Sequence, residues 1–375
     1  FHWLVDILAD GVSHDDQVIM LELIKHWIDV MEKGCTGLAW QPYNVSERVC
    51  NWIVFWQCLS MKNTLPDFSE KWLVAIHNNV IYLADNLEYP ASGIINNHIL
   101  NNARALYIAG RFLEDETITD LGRELLRHHL PEMIGGSGFL KESSSHYQLL
   151  LTRSVLEVQK VAQETLDQQF LRWLDFFSDK MLVASQKLLP DELQSLNDMP
   201  RIGDVSPDIP FDWFSPVSIR LQANWNSLWA ESTDLKTNDG LLDCDGWLSI
   251  KREHWFALVF SHPDKDSYPA GHGHNDFGSF CLYFFGRPIV IDIGRFDYAS
   301  ESNGVFKGTE AEMHNVVIVD QCSLLPVGRG LSSVISTAAR KVVKRLVNND
   351  FDEIRWSGIS KTGAIWHRKL CLVSP

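Results

Sequence analysis

The densest group of residues that could do chemistry lies at 271–280, which reads Gly-His-Gly-His-Asn-Asp-Phe-Gly-Ser-Phe. His272 and His274 are two residues apart, and side chains so spaced on a strand point to one face. Asp292 ends a later apolar run, and His314 opens another. Two imidazoles and a carboxylate from three strands predict a zinc site of His274, Asp292 and His314. The alternative is a hydrogen-bonded loop without a metal, because His and Asp also serve as caps and turn anchors.

A second group lies at 95–104, Ile-Asn-Asn-His-Ile-Leu-Asn-Asn-Ala-Arg. On a helix, Asn97, Asn101 and Arg104 share one face, where a solvent-exposed helix would prefer Lys and Glu. Amides and a guanidinium at these positions indicate a ligand-facing surface with His98 beside it. The alternative is that an asparagine caps the helix and His98 is an ordinary surface residue.

A third group is the Ser-rich stretch 141–148, which predicts a capped helix start. Tyr147 would lie in the first turn, near backbone amides whose field favours a phenolate, and His146 precedes it. Tyr147 is therefore a candidate acid–base group. The alternative is a packing role, because a tyrosine ring is good core material.

The elements that must position these groups change in kind along the chain. From about Asp15 to Gln186, apolar residues recur at helical spacing in seven amphipathic segments separated by short turns. Such a series predicts antiparallel helical hairpins in a bundle, a solenoid or a toroid. A proline-rich acidic stretch follows, and then come short β-rich runs typical of an antiparallel sandwich. The predicted strands begin at Trp247, Trp255, Ser279, Pro288 and Asn315.

We therefore predict an α+β two-domain chain. The helical domain covers 1–190, a linker covers 191–215, and the antiparallel β-sandwich domain covers 216–375. Residues 1–11 lack the basic start and cleavage site of a signal peptide, and the chain ends directly after a strand-like run. We expect a sequence clipped at both ends.

Composition excludes some partners. The formal net charge of −15 argues against nucleic acid, because that binding needs a basic face. Charge is screened over roughly 10 Å, so a local cluster of His, Arg and Asn can still hold an anionic ligand. No apolar run is long enough to span a membrane. The seven scattered cysteines predict buried free thiols rather than disulfides or a thiolate zinc site. No oligomeric state is predicted.

Taken in order, several motifs resemble those of the heparinase II/III family of polysaccharide lyases. They share an order and spacing that are specific for the family, though not for one substrate within it. The matching stretches are 40–52, 97–110, 135–147, 201–204, 271–280, 291–294 and 307–320.

The resemblance implies an incomplete (α/α) toroid followed by an antiparallel β-sandwich, with the substrate cleft between them. It implies that Tyr147 matches the catalytic tyrosine of the family. It also implies that His98, with Asn97 beside it, matches the helical catalytic histidine and that His272 matches the histidine contributed by the β domain. Three residues fall where a zinc-binding subset of the family carries its ligands: His274, Asp292 and His314.

The implied reaction is β-elimination in a uronate-containing acidic polysaccharide. Removing the C5 proton requires that the adjacent carboxylate be neutralised, which we expect of Asn97 with His98 or His272. Tyr147 can protonate the leaving oxygen and, as a phenolate, take the C5 proton from one side of the ring. His98 is the expected base for the opposite epimer. Zinc is given a structural role, in which it braces the loop that presents His272.

The expected substrate is a heparin- or heparan sulfate-like glycosaminoglycan or a bacterial exopolysaccharide, and the resemblance implies a periplasmic or secreted enzyme. Further substrate contacts are expected from Trp40, Tyr43, Asn101, Arg104 and His146. One alternative is a glycoside hydrolase, which needs two carboxylates about 5 to 10 Å apart. Its candidate carboxylates are Glu142, Asp204 and Asp276. The other alternative is a catalytically silent glycan-binding protein.

Overall fold

A computed structural model gives the structure of the chain. It describes residues 4, 13–31, 37–90, 95–191, 193, 198–205, 245–261, 272–295, 308–319, 340–347, 351–359 and 365–373. Most of the predicted linker at 191–215 lies outside these residues.

Seven α-helices occupy the described residues before position 190. They are α1 His14–Met31, α2 Pro42–Met61, α3 Ser69–Asp85, α4 Asn97–Leu113, α5 Glu116–Met133, α6 Ser145–Glu164 and α7 Gln168–Lys187. The seven helices predicted from the apolar spacing are confirmed. None of the helices in the described ranges is both long and apolar enough to cross a membrane.

Seven strands in the described residues form two antiparallel sheets. They are β1 Trp247–Arg252, β2 Trp255–Phe260, β3 Ser279–Phe284, β4 Arg287–Val290, β5 Arg340–Val347, β6 Phe351–Ile359 and β7 Ile365–Val373. One sheet has the order β1-β2-β3-β4 and the other β5-β6-β7. Each strand pairs only with its neighbours in the chain, so both sheets are meanders.

By their internal contacts, the residues form two compact units, which are described separately. The first contains 1–133, 153–178 and 216–227, and the second contains 134–152, 179–215 and 228–375. The second unit thus combines the start of α6 and the end of α7 with the strands. The units are not continuous in sequence, and the predicted domain boundaries at 190 and 216 stay predictions.

In the first unit, α4 is buried along nearly its whole length. It packs closely on α5, because a Cβ at Gly122 of α5 would lie 2.4 Å from the backbone nitrogen of Tyr107 in α4. A Cβ at Gly110 of α4 would lie 2.4 Å from the nitrogen of Thr119 in α5. Two glycines, one on each helix, therefore allow the backbones to approach. This packing holds the helix that carries the polar group predicted at 95–104.

In the second unit, the two sheets share one apolar core. Its buried members come from β1, β2, β6, β7 and the segment before β3: Leu248, Ile250, Ala257, Val259, Phe277, Ile354, Trp356, Trp366 and Leu372. Two antiparallel sheets packed on a common core form a β-sandwich, as predicted.

The strand predicted at 315–320 is wrong over its described residues. Residues 315–319 have a bridge at Val319 and no strand ladder. The Asn315 side chain donates to the carbonyls of Phe280 and Ile291. The Asn315 amide thus occupies backbone carbonyls that a neighbouring strand would otherwise bind. Val317 and Val319 of the segment still pack on the core.

Candidate active site

Tyr147 and His272 lie against each other in the second unit. Their rings are stacked, with centroids 3.7 Å apart and planes inclined by 11°. The Tyr147 backbone N–H donates to Ser144 Oγ at 3.1 Å, which caps the start of α6 and fixes Tyr147 in its first turn. A candidate acid–base tyrosine therefore has a candidate catalytic histidine as its ring neighbour.

Two buried carboxylates hold the His272 ring from its two nitrogens. Nδ1 lies 2.9 Å from Asp204 Oδ2, at hydrogen-bond distance. Nε2 lies 3.5 Å from Glu142 Oε2, at ion-pair distance. With Tyr147 on one face as well, the orientation of His272 is fixed. Two of the three carboxylates considered for a hydrolase are thus engaged with an imidazole.

Asp204 binds more than one partner. Its Oδ1 lies 2.7 Å from His274 Nε2 and 3.3 Å from Arg295 Nη1. Burial disfavours the carboxylate, but hydrogen bonds from His272 and His274 outweigh that effect and lower the pKa of Asp204 well below its usual range. Asp204 is therefore an anionic anchor for both histidines.

Hydrogen bonds to the backbone join the three segments that carry Glu142, Asp204 and His272. Ser144 Oγ donates to the Asp204 carbonyl at 2.7 Å, and the Asp204 N–H donates to the His272 carbonyl at 2.8 Å. Gly203 has φ +73°, and a Cβ there would lie 2.3 Å from the Ser143 carbonyl oxygen. Only glycine fits this close approach.

The prediction that His272 and His274 share a strand face is wrong, because 272–274 is a loop before β3. The two side chains still converge, since both imidazoles bind Asp204. Convergence on one carboxylate, and not strand alternation, brings them together.

The predicted zinc residues are neighbours in the second unit. His314 Nδ1 lies 2.8 Å from Asp292 Oδ1, and the His274 and His314 ring centroids are 5.1 Å apart. Burial disfavours the imidazolium, but the hydrogen bond with Asp292 outweighs it and raises the pKa of His314. Asp292 lies two residues after β4, and His314 follows the 3-10 turn Ala311–Met313, so neither stands in a strand.

These three side chains are close but not in ligating geometry. In the part of the chain that the structure describes, only a different group, in α5, has three ligand atoms within 4.8 Å of one another. His274 Nδ1 is nevertheless buried and has no hydrogen-bond partner among the described residues. An unsatisfied ring nitrogen beside His314 and the Asp292 carboxylate suits zinc in its chemistry, and the site stays a prediction.

In the first unit, His98 is oriented by a carboxylate. The Asn96 side chain caps α4 by accepting from the His98 backbone N–H. His98 Nδ1 lies 2.8 Å from Glu88 Oε1, and the Tyr43 ring packs on the imidazole with centroids 4.8 Å apart. Because a carboxylate only accepts, Nδ1 carries a proton, and in the neutral imidazole the lone pair is then on Nε2. The His98 side chain is 36% exposed, which gives it the access that a base requires.

The predicted polar face of α4 is buried rather than exposed. Arg104 binds Glu157 at 2.6 Å, Glu47 at 2.7 Å and Asn101 Oδ1 at 2.7 Å. These contacts give Arg104 a structural role, and its predicted substrate contact stays a prediction. Asn101 Nδ2 is a buried donor that has no partner among the residues described above, and Asn97 is 5% exposed.

The other predicted substrate contacts, Trp40, Tyr43 and His146, differ in what surrounds their side chains. The Trp40 ring packs against Tyr82 and Trp27, with centroids 4.8 and 6.3 Å away, and therefore belongs to an aromatic cluster. Tyr43 stays beside His98. His146 is 0% exposed and its ring packs edge-on against Tyr147, and its predicted substrate contact stays a prediction.

Comparison with known proteins agrees with these features. Residues 237–369 match the family model described as heparinase II/III-like, C-terminal. A heparin-sulfate lyase of Bacteroides thetaiotaomicron is 28% identical over 166 residues, which cover 41% of this chain and 23% of that protein. The resemblance expected from the sequence is confirmed.

Solved structures are similar over almost the whole chain. The crystal structure of heparinase III gives a TM-score of 0.72 at 16% identity, covering 96% of this chain and 58% of that one. A mutant of the heparan sulfate lyase HepC from Pedobacter heparinus gives 0.64 at 18% identity, covering 96% and 57%. This likeness confirms the α+β fold class. The chain spans less than two thirds of the length of these relatives.

Proposed function

We propose that this heparinase II/III-like chain is part of a polysaccharide lyase that cleaves a uronate-containing acidic glycan by β-elimination. The observation that carries the proposal is the stacked pair of Tyr147 and His272, with carboxylates of Glu142 and Asp204 at the two imidazole nitrogens. The names of the matched relatives, heparin-sulfate lyase and heparinase III, support the same reaction class.

Tyr147 supplies the proton transfers. β-Elimination breaks the C4–O bond after the C5 proton is removed, and the leaving oxygen must be protonated. The phenol of Tyr147 donates that proton, and its phenolate accepts the C5 proton when both lie on one side of the sugar ring. Asp204 orients His272 through Nδ1, and Nε2, which lies only at an ion-pair distance of 3.5 Å from Glu142, is the nitrogen that donates to the substrate carboxylate. Each such donor contributes about 3 kcal/mol to stabilising the negative charge that develops there.

His98 is the base that we assign to the opposite epimer. Glu88 holds its Nδ1, so Nε2 is the basic nitrogen. The partnerless Nδ2 of Asn101 is a donor that a substrate carboxylate could satisfy, and Asn97 at the start of the same helix is the second amide we assign to that task.

Zinc is proposed as a structural ion held by His274, Asp292 and His314. When bound, it would fix the loop 272–274 against the sandwich and so keep His272 beside Tyr147. The buried Nδ1 of His274, which has no hydrogen-bond partner among the described residues, supports this assignment.

The first substrates to test are heparin and heparan sulfate, followed by bacterial exopolysaccharides. We propose a periplasmic or secreted location, because a large acidic polysaccharide does not cross a membrane unaided.

The decisive experiment measures the ultraviolet absorbance of an unsaturated uronate while the full chain is incubated with heparan sulfate, chondroitin, hyaluronan and alginate. A lyase creates this chromophore on at least one polymer. New reducing ends without absorbance would indicate a hydrolase, and binding without either signal would indicate a silent glycan-binding protein. Either result overturns the proposal.

A further inference from the structure

Near the end of α5, two histidines and a glutamate lie together in a group that the proposed reaction does not use. Ligand atoms of His128, His129 and Glu132 lie within 4.8 Å of one another. Glu132 is four residues after His128 and three after His129, so its carboxylate lies one helical turn on from both. The two imidazole rings have centroids 4.6 Å apart. One helix thus presents two nitrogens and one carboxylate to a single point.

Tyr89 fixes which nitrogen of His129 faces that point. Tyr89 Oη lies 2.9 Å from His129 Nε2, while Nδ1 lies 3.2 Å from Glu132 Oε2. His129 is 4% exposed, whereas His128 and Glu132 are exposed. The buried ring therefore has one nitrogen bound to a phenol and the other directed at the carboxylate, beside an accessible histidine.

We propose that His128, His129 and Glu132 form a binding site for a divalent transition metal, with zinc as the preferred ion. Imidazole nitrogens with one carboxylate are borderline donors that suit zinc, cobalt, nickel and copper, whereas calcium and magnesium require oxygen ligands. Three protein ligands leave one tetrahedral position for water.

Binding shifts one proton within the site. Without a metal, His129 Nδ1–H donates to Glu132 and Nε2 accepts from Tyr89. With the metal on Nδ1, the ring proton is carried by Nε2 and is donated to Tyr89 Oη, which becomes the acceptor. The phenol thereby acts as the outer partner that orients a ligating histidine. The two tautomers carry the same number of protons, so no redox partner or added base is required.

The test measures zinc stoichiometry in the metal-stripped full chain by competition with a chromophoric chelator. The second zinc site proposed above is common to all variants and cancels in the comparison. His128→Gln and Glu132→Gln should each bind one zinc fewer than the native chain. His77→Gln, which changes an exposed histidine of α3, is the matched control and should bind the native number.

Tyr89→Phe should keep the site but weaken its zinc affinity by about tenfold to a hundredfold, as loss of an outer partner does. Excess calcium or magnesium should leave the zinc bound. Cobalt added instead of zinc should give a visible absorption band that the His128→Gln chain lacks. Melting curves confirm that each variant is folded. Native zinc stoichiometry in both His128→Gln and Glu132→Gln, or displacement by calcium, would overturn the proposal.

Discussion

At the scale of single residues, Tyr147 offers the smallest change that tests the mechanism. Tyr147→Phe removes one oxygen and keeps the ring that stacks on His272. We expect turnover to fall by at least about a hundredfold, because general acid–base groups contribute about 10²–10⁴. The melting temperature and glycan binding should stay close to those of the native chain, as measured by thermal unfolding and calorimetry.

The control for this change is Tyr283→Phe, which loses a hydrogen bond to the Asp198 carbonyl in the same unit. It should lower the melting temperature without a matching loss of turnover. Near-native turnover in a folded Tyr147→Phe chain would remove Tyr147 from the mechanism.

Glu88→Gln tests the orientation of His98. A glutamine amide can donate to Nδ1, which favours the tautomer with its proton on Nε2 and so removes the base. We expect turnover to fall about a hundredfold on the uronate epimer that uses His98 and less on the other, with KM little changed. His98→Ala should show the same preference between glucuronate and iduronate linkages. Equal losses on both epimers would assign His98 to binding the carboxylate instead.

Motifs predicted the reactive residues but not their partners. Tyr147 and His272 were found because each lies in a recognisable stretch of sequence. Glu88 lies in no motif, and its bond to His98 depends on how the segment before α4 folds back. Asp204 was noted as a candidate carboxylate, yet its role as the anchor of two histidines depends on three separate loops meeting, which spacing along the chain does not encode.

At the scale of elements, the close packing of α4 on α5 can be tested at Gly122. Gly122→Ala places a Cβ 2.4 Å from the Tyr107 nitrogen, so the helices must separate. We expect a loss of about 1–3 kcal/mol in the free energy of unfolding, measured with urea, which is typical of overpacking. Glu124→Ala on the exposed side of α5 loses only a surface ion pair with Arg127 and should change stability by less than about 1 kcal/mol. An unchanged Gly122→Ala chain would contradict the packing.

Helices were more predictable than strands for a physical reason. Each helix carries many turns of the same apolar period, so its position is defined several times over. The run at 315–319 is short and rich in β-branched residues. Its conformation depends on Asn315, whose side chain donates to two backbone carbonyls. The loop at 272–274 likewise has polar residues that bind Asp204 instead of alternating across a strand.

At the scale of the whole molecule, the proposed zinc at His274, Asp292 and His314 predicts a link between metal content and stability. Chelation, or His314→Ala, should lower the melting temperature before it alters chemistry, because a structural site contributes folding free energy directly. Activity should then fall as the loop carrying His272 loosens. Loss of activity at unchanged stability would indicate a catalytic metal, and a native chain without zinc by elemental analysis would contradict the site.

Contacts between distant parts of the chain were the least accessible property of the sequence. The period changes near 190, yet residues 134–152 belong by their contacts to the unit that contains the strands. The Ser137 N–H donates to Asp245 at 2.9 Å, and Phe139 stacks on Trp247. Such contacts join positions more than a hundred residues apart. They cannot be predicted from a hydropathy pattern, because that pattern reflects only residues close together in the chain.

Glu88 and Tyr89 are consecutive residues, yet one binds His98 and the other binds His129. A glycan that moved Glu88 on binding would therefore act on the residue next to the phenol beside the α5 metal ligands. By thermodynamic linkage, any factor by which such a glycan changed the zinc affinity would be the factor by which zinc changed the glycan affinity.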